Sequence, residues 1–340
     1  MSELFAFGLG LPTRNQQQTI LDTYFPRPAI HLSTQAGTAI RSQVKSEEQV
    51  LEPAQLTALA DALANAGESY LAEGARQLAA TDRPALAVVL ERDEALSSTA
   101  AAYLKLHLLS HRLAIPNSLN LDNIFPQLPN LVWTNRGPID PREIEAALID
   151  ARLKDRPLTI NGVDKFPRMT DYVIPSGVRI ADASRIRLGA YLGEGTTVMH
   201  EGFVNFNAGA MGPNMIEGRI SQGVIVDAHS DLGGSSSTMG TLSGGGNIRI
   251  SIGKHCLIGA NAGTGIALGD RCTIEAGLYI TSGTRVQLLD ENGDAVKTVK
   301  ARELSGNSDM LFIRNSATGA VQCRTNKSAI ALNEALHAHN

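Results

Sequence analysis

Residues 174–204, broken every six positions, read IPSGVR IADASR IRLGAY LGEGTT VMHEGF V. An aliphatic side chain opens each block: Ile174, Ile180, Ile186, Leu192, Val198 and Val204. Four places on from these stand Val178, Ser184, Ala190, Thr196, Gly202 and Ala208, nearly all small. A helix repeats about every 3.6 residues and a strand every 2, so neither writes this pattern. A hexapeptide repeat does. It predicts a left-handed parallel β-helix, in which each short strand buries its inner residue only by stacking on the next coil.

Downstream the repeat continues with changes of phase. Ile216 keeps the first register, Ile220, Val226, Leu232 and Thr238 form a second series, Ile252, Ile258 and Thr264 a third, and Leu268, Ile274, Ile280 and Val286 a fourth. Each change is read as inserted residues bulging from a corner, the largest being a projecting loop around Ser243-Gly-Gly-Gly-Asn247. Three hexapeptides close one triangular coil, and each coil rises about 4.8 Å, the spacing of neighbouring strands. The open ends of such a prism need covers. An N-terminal domain and a C-terminal segment are expected to supply them. In that segment Lys300–Gly306 and Leu311–Val321 read as a strand pair turning at Thr318-Gly319, followed by a helical tail over Ala329–His339.

The first 155 residues differ in character. Gln55–Leu78 carries Leu56, Leu59, Leu63, Tyr70 and Leu71 at helical spacing. Ala85–Leu90 and Leu131–Thr134 read as strands, and Glu94–Leu113 as a second helix. Asp140-Pro-Arg-Glu143 has the form of a helix start, with the helix running to about Leu153. Strands alternating with helices predict an α/β domain over 1–155, a polar, proline-broken linker over 156–172, the β-helix over 173–290 and a small C-terminal β segment and tail over 291–340. The whole is mainly β.

The net charge of −4 gives no reason to expect a nucleic-acid or membrane-surface partner. Aromatics make up only 4%, which suits a narrow core of aliphatic and small side chains. Three cysteines, Cys256, Cys272 and Cys323, are too few for a disulfide framework or zinc ribbon and read as buried thiols. No leader-like segment and no apolar run of about 18 residues is present, so a cytoplasmic protein is expected.

Phosphate-loop, dinucleotide-binding and nucleophile-elbow motifs are absent. His107 and His111 stand four apart on the second helix, but the accompanying glutamate and third ligand of a zinc site are missing. Chemistry is concentrated in Met199–Gly209 and Met215–Ser221, where Glu201, Glu217 and Arg219 interrupt the small and apolar repeat. Polar groups on a solenoid face need partners, which a neighbouring subunit or a substrate would supply. Solvated corner residues are the plain alternative.

Several long motifs carry a resemblance: His200-Glu-Gly-Phe-Val-Asn-Phe-Asn-Ala-Gly209, Glu217-Gly-Arg-Ile-Ser221, Met239-Gly-Thr-Leu-Ser-Gly-Gly-Gly246, Ser251-Ile-Gly-Lys254, Ile274-Glu-Ala-Gly-Leu-Tyr279, Val299-Lys-Ala-Arg-Glu-Leu-Ser-Gly306 and Arg314-Asn-Ser316. Over about 172–321 the chain resembles the tetrahydrodipicolinate N-succinyltransferase family, in the branch found in actinobacteria and pseudomonads. Its N-terminal third is similar only in general character. The resemblance implies a homotrimer with active sites between adjacent β-helices. It implies transfer of succinyl from succinyl-CoA to the amine of ring-opened tetrahydrodipicolinate, in diaminopimelate and lysine biosynthesis. Glu217 matches the catalytic carboxylate. Two roles stay open for it: a general base toward the amine, or a nucleophile forming an acyl-anhydride. Arg219, Gly234, Ser237, Ala260, Glu275, Ala276, Gly283, Lys300, Ile313, Arg314, Asn315 and Ser316 match the substrate and succinyl-CoA cleft. Glu201 matches a magnesium ligand at the trimer axis, while the family's second acidic position falls on Ser184.

Three rival readings are weighed by the same residues. An acyltransferase with a histidine base would draw on His200, His229 or His255. A non-enzymatic scaffold would show monotonous repeats, without the glycine-rich loop and interrupting charges seen here. A trimeric β-helical zinc hydratase would need a close His-x4-His pair, which the repeat lacks.

Overall fold

The computed structural model describes residues 3–81, 83–242 and 248–325. The chain divides into two compact units: residues 1–114, 118–167 and 171–173 form the first, and 115–117, 168–170 and the chain from Ile174 onward form the second.

The second unit is a left-handed β-helix with three parallel sheets as its faces. The first face stacks Arg179–Ile180, Thr196–Val198, Asn214–Ile216, Asp231–Leu232, Leu257–Ile258 and Thr273–Ile274. The second stacks Phe203–Val204, Arg219–Ile220, Ser237–Thr238, Gly263–Thr264 and Tyr279–Ile280. The third stacks Tyr191–Leu192, Gly209–Ala210, Ile225–Val226 and Ser251–Ile252. Residues of like phase pair directly, as Val198 with Ile216, Ile216 with Leu232, Leu232 with Ile258 and Ile258 with Ile274. Their side chains are buried. Burial of each contributes about 1.5–3 kcal/mol, which two-residue strands lack in isolation. Small residues beside them, among them Ala190, Thr196, Ala208, Ser230, Cys256, Ala262 and Cys272, are buried where the corners crowd the core. The cysteines are all free and buried, and burial pushes the Cys323 thiol up to about 12.

Three expectations about the repeat need correction. Ile174 is 78% exposed and opens no strand, because Arg179–Ile180 is the first rung. Two of the phase changes are deletions rather than insertions. The inward residues Ile216 and Ile220 are four positions apart where Val198 and Val204 are six, and Thr264 to Leu268 is again four. Only the step from Thr238 to Ile252 is an insertion. Its stem pairs Thr241 with Arg249, and its glycine-rich run, 243–247, lies outside the described residues.

After Ile280 the chain leaves the spiral. Arg285–Leu289 and Ala295–Lys300 form an antiparallel hairpin, and Ala301–Leu304 is a short 3-10 turn. Met310–Arg314 then returns as one more parallel rung over Thr273–Ile274. Val321–Thr325 pairs with it antiparallel and covers its edge. The terminal strand pair is therefore Met310–Arg314 with Val321–Thr325, and the stretch 300–306 belongs to the hairpin and the 3-10 turn. The helical tail expected over 329–339 lies outside the described residues.

The first unit mixes helices with an antiparallel sheet. Ile20–Tyr24, Leu4–Arg14, Ala85–Leu90 and Glu48–Leu51 lie in that order, and Ala29–Leu32 pairs with Leu4–Arg14. The expected long helix over 55–78 is two, Pro53–Asn65 and Ser69–Ala79, broken where Gly67 turns at φ +83°. Their leucines and alanines pack on Phe7, Val89 and Ile40 in one core. The helix after Asp140 starts later than expected, at Ile144. Both oxygens of Asp140 are engaged by Arg142, and this contact holds its carboxyl well below the usual range. Within the expected linker, Ile160–Asp164 is a strand against Leu131–Thr134: the prolines bound it without preventing it.

Candidate active site

The turns joining the first face to the second lie one above another. Met199 N donates to Ile216 O, Glu217 N to Leu232 O, Gly233 N to Ile258 O, Gly259 N to Ile274 O and Glu275 N to Phe312 O, all between 2.8 and 3.0 Å. This ladder places Glu217, Gly234, Ala260, Glu275 with Ala276, and Ile313 with Arg314 in one corner column. Residues distant in sequence meet there because Met310–Arg314 forms the top rung.

The shortened corner is at Glu217-Gly218-Arg219. With two residues missing, that rung recedes and leaves a notch between its neighbours. Ser235 from the rung above then donates through Oγ to Glu201 Oε2 of the rung below, at 2.8 Å. Gly234 lines the same notch. A Cβ on it would stand 3.5 Å from Glu217 Oε2 and 3.6 Å from Glu201 Oε2, so both carboxylates reach the space that its missing side chain leaves. Glu217 is half-buried and Glu201 exposed.

Arg219 and Ser237 stand side by side on the second face, with Arg219 Nε donating to Ser237 Oγ at 3.4 Å. Above them Tyr279 folds over Gly263, where a Cβ would come within 2.3 Å of the ring. Gly283 and Lys300 follow the last strand of this face, their segments joined by Ala301 N donating to Thr284 O and Arg302 N to Ser282 O. At the top of the column Glu275 Oε2 accepts from Arg314 N at 2.7 Å, and Asn315 Oδ1 accepts from Ala317 N and Thr318 N. Glu275 and Asn315 thus shape the turn that presents Arg314 and Ser316, both exposed.

The histidines fall elsewhere. His229 and His255 occupy the corner between the third and first faces, with their rings stacked at 4.9 Å and 9°. Among the described residues, only His200 of the histidines shares the column with Glu217 and Glu201. In the first unit His107 is fully used: Nε2 accepts from Phe25 N, Nδ1 meets Tyr103 O, and burial lowers it to about 3.

Magnesium needs a near-octahedral set of oxygens. Glu201 turns Oε2 to Ser235, and Ser184, in the second acidic position, binds Asp182 through Oγ at 2.7 Å. Among the described residues no three His, Cys, Asp or Glu side chains are grouped to hold a metal. The donor set of one chain does not fit a magnesium site.

Ser235 is the residue that the motifs failed to single out. Its signal was its place in the repeat, one rung above a corner shorter than its neighbours.

Two family profiles match parts of the chain: "Tetrahydrodipicolinate N-succinyltransferase middle" over residues 128–168 and "Hexapeptide repeat of succinyl-transferase" over 249–282. The 2,3,4,5-tetrahydropyridine-2,6-dicarboxylate N-succinyltransferases of Pseudomonas putida and Pseudomonas aeruginosa are each 56% identical to it, over 99% of this chain and 99% of theirs. The chain belongs to the tetrahydrodipicolinate N-succinyltransferase family. The enzyme of that name from Vibrio cholerae is 51% identical over the same share of both chains. A crystal structure from Campylobacter jejuni, described as a putative 2,3,4,5-tetrahydropyridine-2-carboxylate N-succinyltransferase, superposes with a TM-score of 0.87 at 31% identity, covering 97% of this chain and 94% of that one. Likeness to the family extends through the first unit, which holds nearly all of the 128–168 match.

Proposed function

We infer that the chain is an acyltransferase that moves succinyl from succinyl-CoA to the amine of ring-opened tetrahydrodipicolinate, giving N-succinyl-2-amino-6-oxopimelate and CoA in the diaminopimelate and lysine route. The observation that carries this reading is the notch at Glu217, a carboxylate set back by a shortened corner in a column of small residues and backbone amides. An acyl thioester lies along such a column without meeting bulky side chains. Gly234, Ala260 and Ala276 leave room for the pantetheine arm, and Lys300 and Arg314 offer positive charge to the phosphates. Arg219 faces the succinyl carboxylate.

The reaction joins the amine nitrogen to the succinyl carbonyl carbon and breaks the carbon–sulfur bond. The amine loses a proton and the CoA thiolate gains one. Glu217 serves this either by taking the amine's proton or by accepting the acyl group first as an anhydride. Mass spectrometry of the protein with succinyl-CoA and no acceptor separates the two, since an adduct of about 100 Da on Glu217 belongs only to the second. The reading as a whole is tested by thiol release from succinyl-CoA that depends on tetrahydrodipicolinate. Release without that dependence, or none, overturns it.

The reading includes a cytoplasmic homotrimer. Three copies set their second faces against neighbours, so that the notch of one is closed by the next. Sedimentation at micromolar concentration tests this. The position of His229 and His255 on another corner removes them as the base, which leaves His200, in the column of Glu217, as the histidine alternative.

A further inference from the structure

Every residue matched to succinyl-CoA lies at the rung of Glu217 or above it, from Arg219 and Gly234 up to Arg314. The second face continues below that rung, and its cationic groups have no assigned task. Phe203 pairs with Arg219 across one rung, and Ile186 bridges to Val204, so Arg185 stands outward one rung below Phe203. The Arg185 guanidinium lies 5.8 Å from the centre of the Phe203 ring and that of Arg187 5.9 Å. Arg185 is anchored by Nε to Gly202 O at 3.3 Å and by Nη2 to Glu201 O at 2.8 Å, the backbone of the turn that carries Glu201. These bonds use a minority of the donors that an arginine carries. Both arginines are half-buried, and among the described residues no carboxylate forms an ion pair with Arg185. A partly desolvated guanidinium held rigid against an aromatic ring, with the Asp182 carboxylate acting on it but not paired with it, keeps donors for a second carboxylate.

We propose that Arg185, one rung below Phe203 and packed against its ring with Arg187 beside it, binds a carboxylate of the dicarboxylic amine that accepts the acyl group. The donor then occupies the face from Glu217 upward and the acceptor approaches from below, with Glu217 between them. Two rungs separate Arg185 from Arg219, roughly 10 Å along the stack. A seven-carbon diacid anchored at Arg185 therefore brings its amine end to the level of the notch. This inference rests on the proposed function and names the acceptor side of the same site.

The test is steady-state kinetics of Arg185→Gln and Arg185→Lys, together with inhibition by pimelate, a diacid that lacks the amine. Glutamine keeps a donor for the backbone carbonyls and loses the charge. The expected result is an acceptor KM raised about ten- to hundredfold in Arg185→Gln, partly restored in Arg185→Lys, with the succinyl-CoA KM within about twofold of the parent. Pimelate should inhibit the parent competitively against the acceptor and lose that effect in Arg185→Gln. An unchanged acceptor KM, pimelate inhibition that survives the substitution, or equal losses toward both substrates would overturn the proposal. An inactive parent protein instead removes the proposed function, so the two failures are told apart.

Discussion

Two corners of the same spiral have opposite characters. The corner between the first and second faces holds Glu201, Glu217, Gly234 and Ser235. One of its rungs is cut short, and its polar groups reach across a gap. The corner between the third and first faces is regular. His229, His255, Arg271 and Asp309 succeed one another there with φ between +56° and +60°. Their backbones hydrogen-bond rung to rung, the two imidazoles stack, and Arg271 binds Asp309 through two bonds of 2.5 and 2.7 Å. Repetition satisfies each group from its neighbour on the closed corner. Interruption on the other leaves groups that need something from outside. The difference separates a structural from a chemical use of one motif.

The comparison is broken most directly by exchanging roles. Glu217→Gln should lower acceptor-dependent thiol release by at least about a hundredfold, whereas His229→Ala and His255→Ala stay within a few-fold. Loss on the histidine side alone would make the regular corner the chemical one. Filling the notch is the next test. In Gly234→Ala the methyl meets the two carboxylate oxygens at ordinary contact distance, so the melting temperature should hold while turnover drops about tenfold. A folded variant with full activity would show that nothing enters the notch.

Ser235→Ala removes the single bond that spans it, and about a fivefold loss in kcat/KM is expected, the worth of one hydrogen bond. Circular dichroism should show no change in fold.

The smallest effect belongs to the regular corner. Arg271 holds the Asp309 carboxyl below its ordinary value. A depressed acid stabilises the folded state above its unfolded pKa, and that contribution fades as the pH falls through the folded one. Asp309→Asn should therefore cost about 1–3 °C in melting temperature at pH 7, a difference that shrinks as the pH falls below the ordinary carboxylate range, with activity unaltered. A loss that persists unchanged in acid would mean that packing, not charge, ties the two residues.

Much of this was legible in the chain. The period of six predicted stacked coils because only a spiral of that pitch buries Ile186, Leu192, Val198 and Val204 together. Ala85–Leu90 and Leu131–Thr134 were readable as strands from their apolar runs. The sense of the phase changes was misread, since a register shift in sequence does not say whether a corner grew or shrank. Strand pairing decides that: Ile220 continues the column of Val204, which makes its corner short. The start of the helix at Ile144 and the strand at Ile160–Asp164 were also out of reach, because capping contacts and sheet partners overrode the local signal.

The sequence by itself determined that the chain coils, which residues face the core and which motifs carry charge. These follow from local period and side-chain size, which are properties of neighbours along the chain. Only the tertiary structure decided that Glu201, Glu217, Gly234 and Ser235 share one notch, that His229 and His255 stand on another corner, and that Met310–Arg314 returns to roof the column. Those facts depend on which rung lies against which, and hydrogen bonds between residues 15 to 39 positions apart set that order.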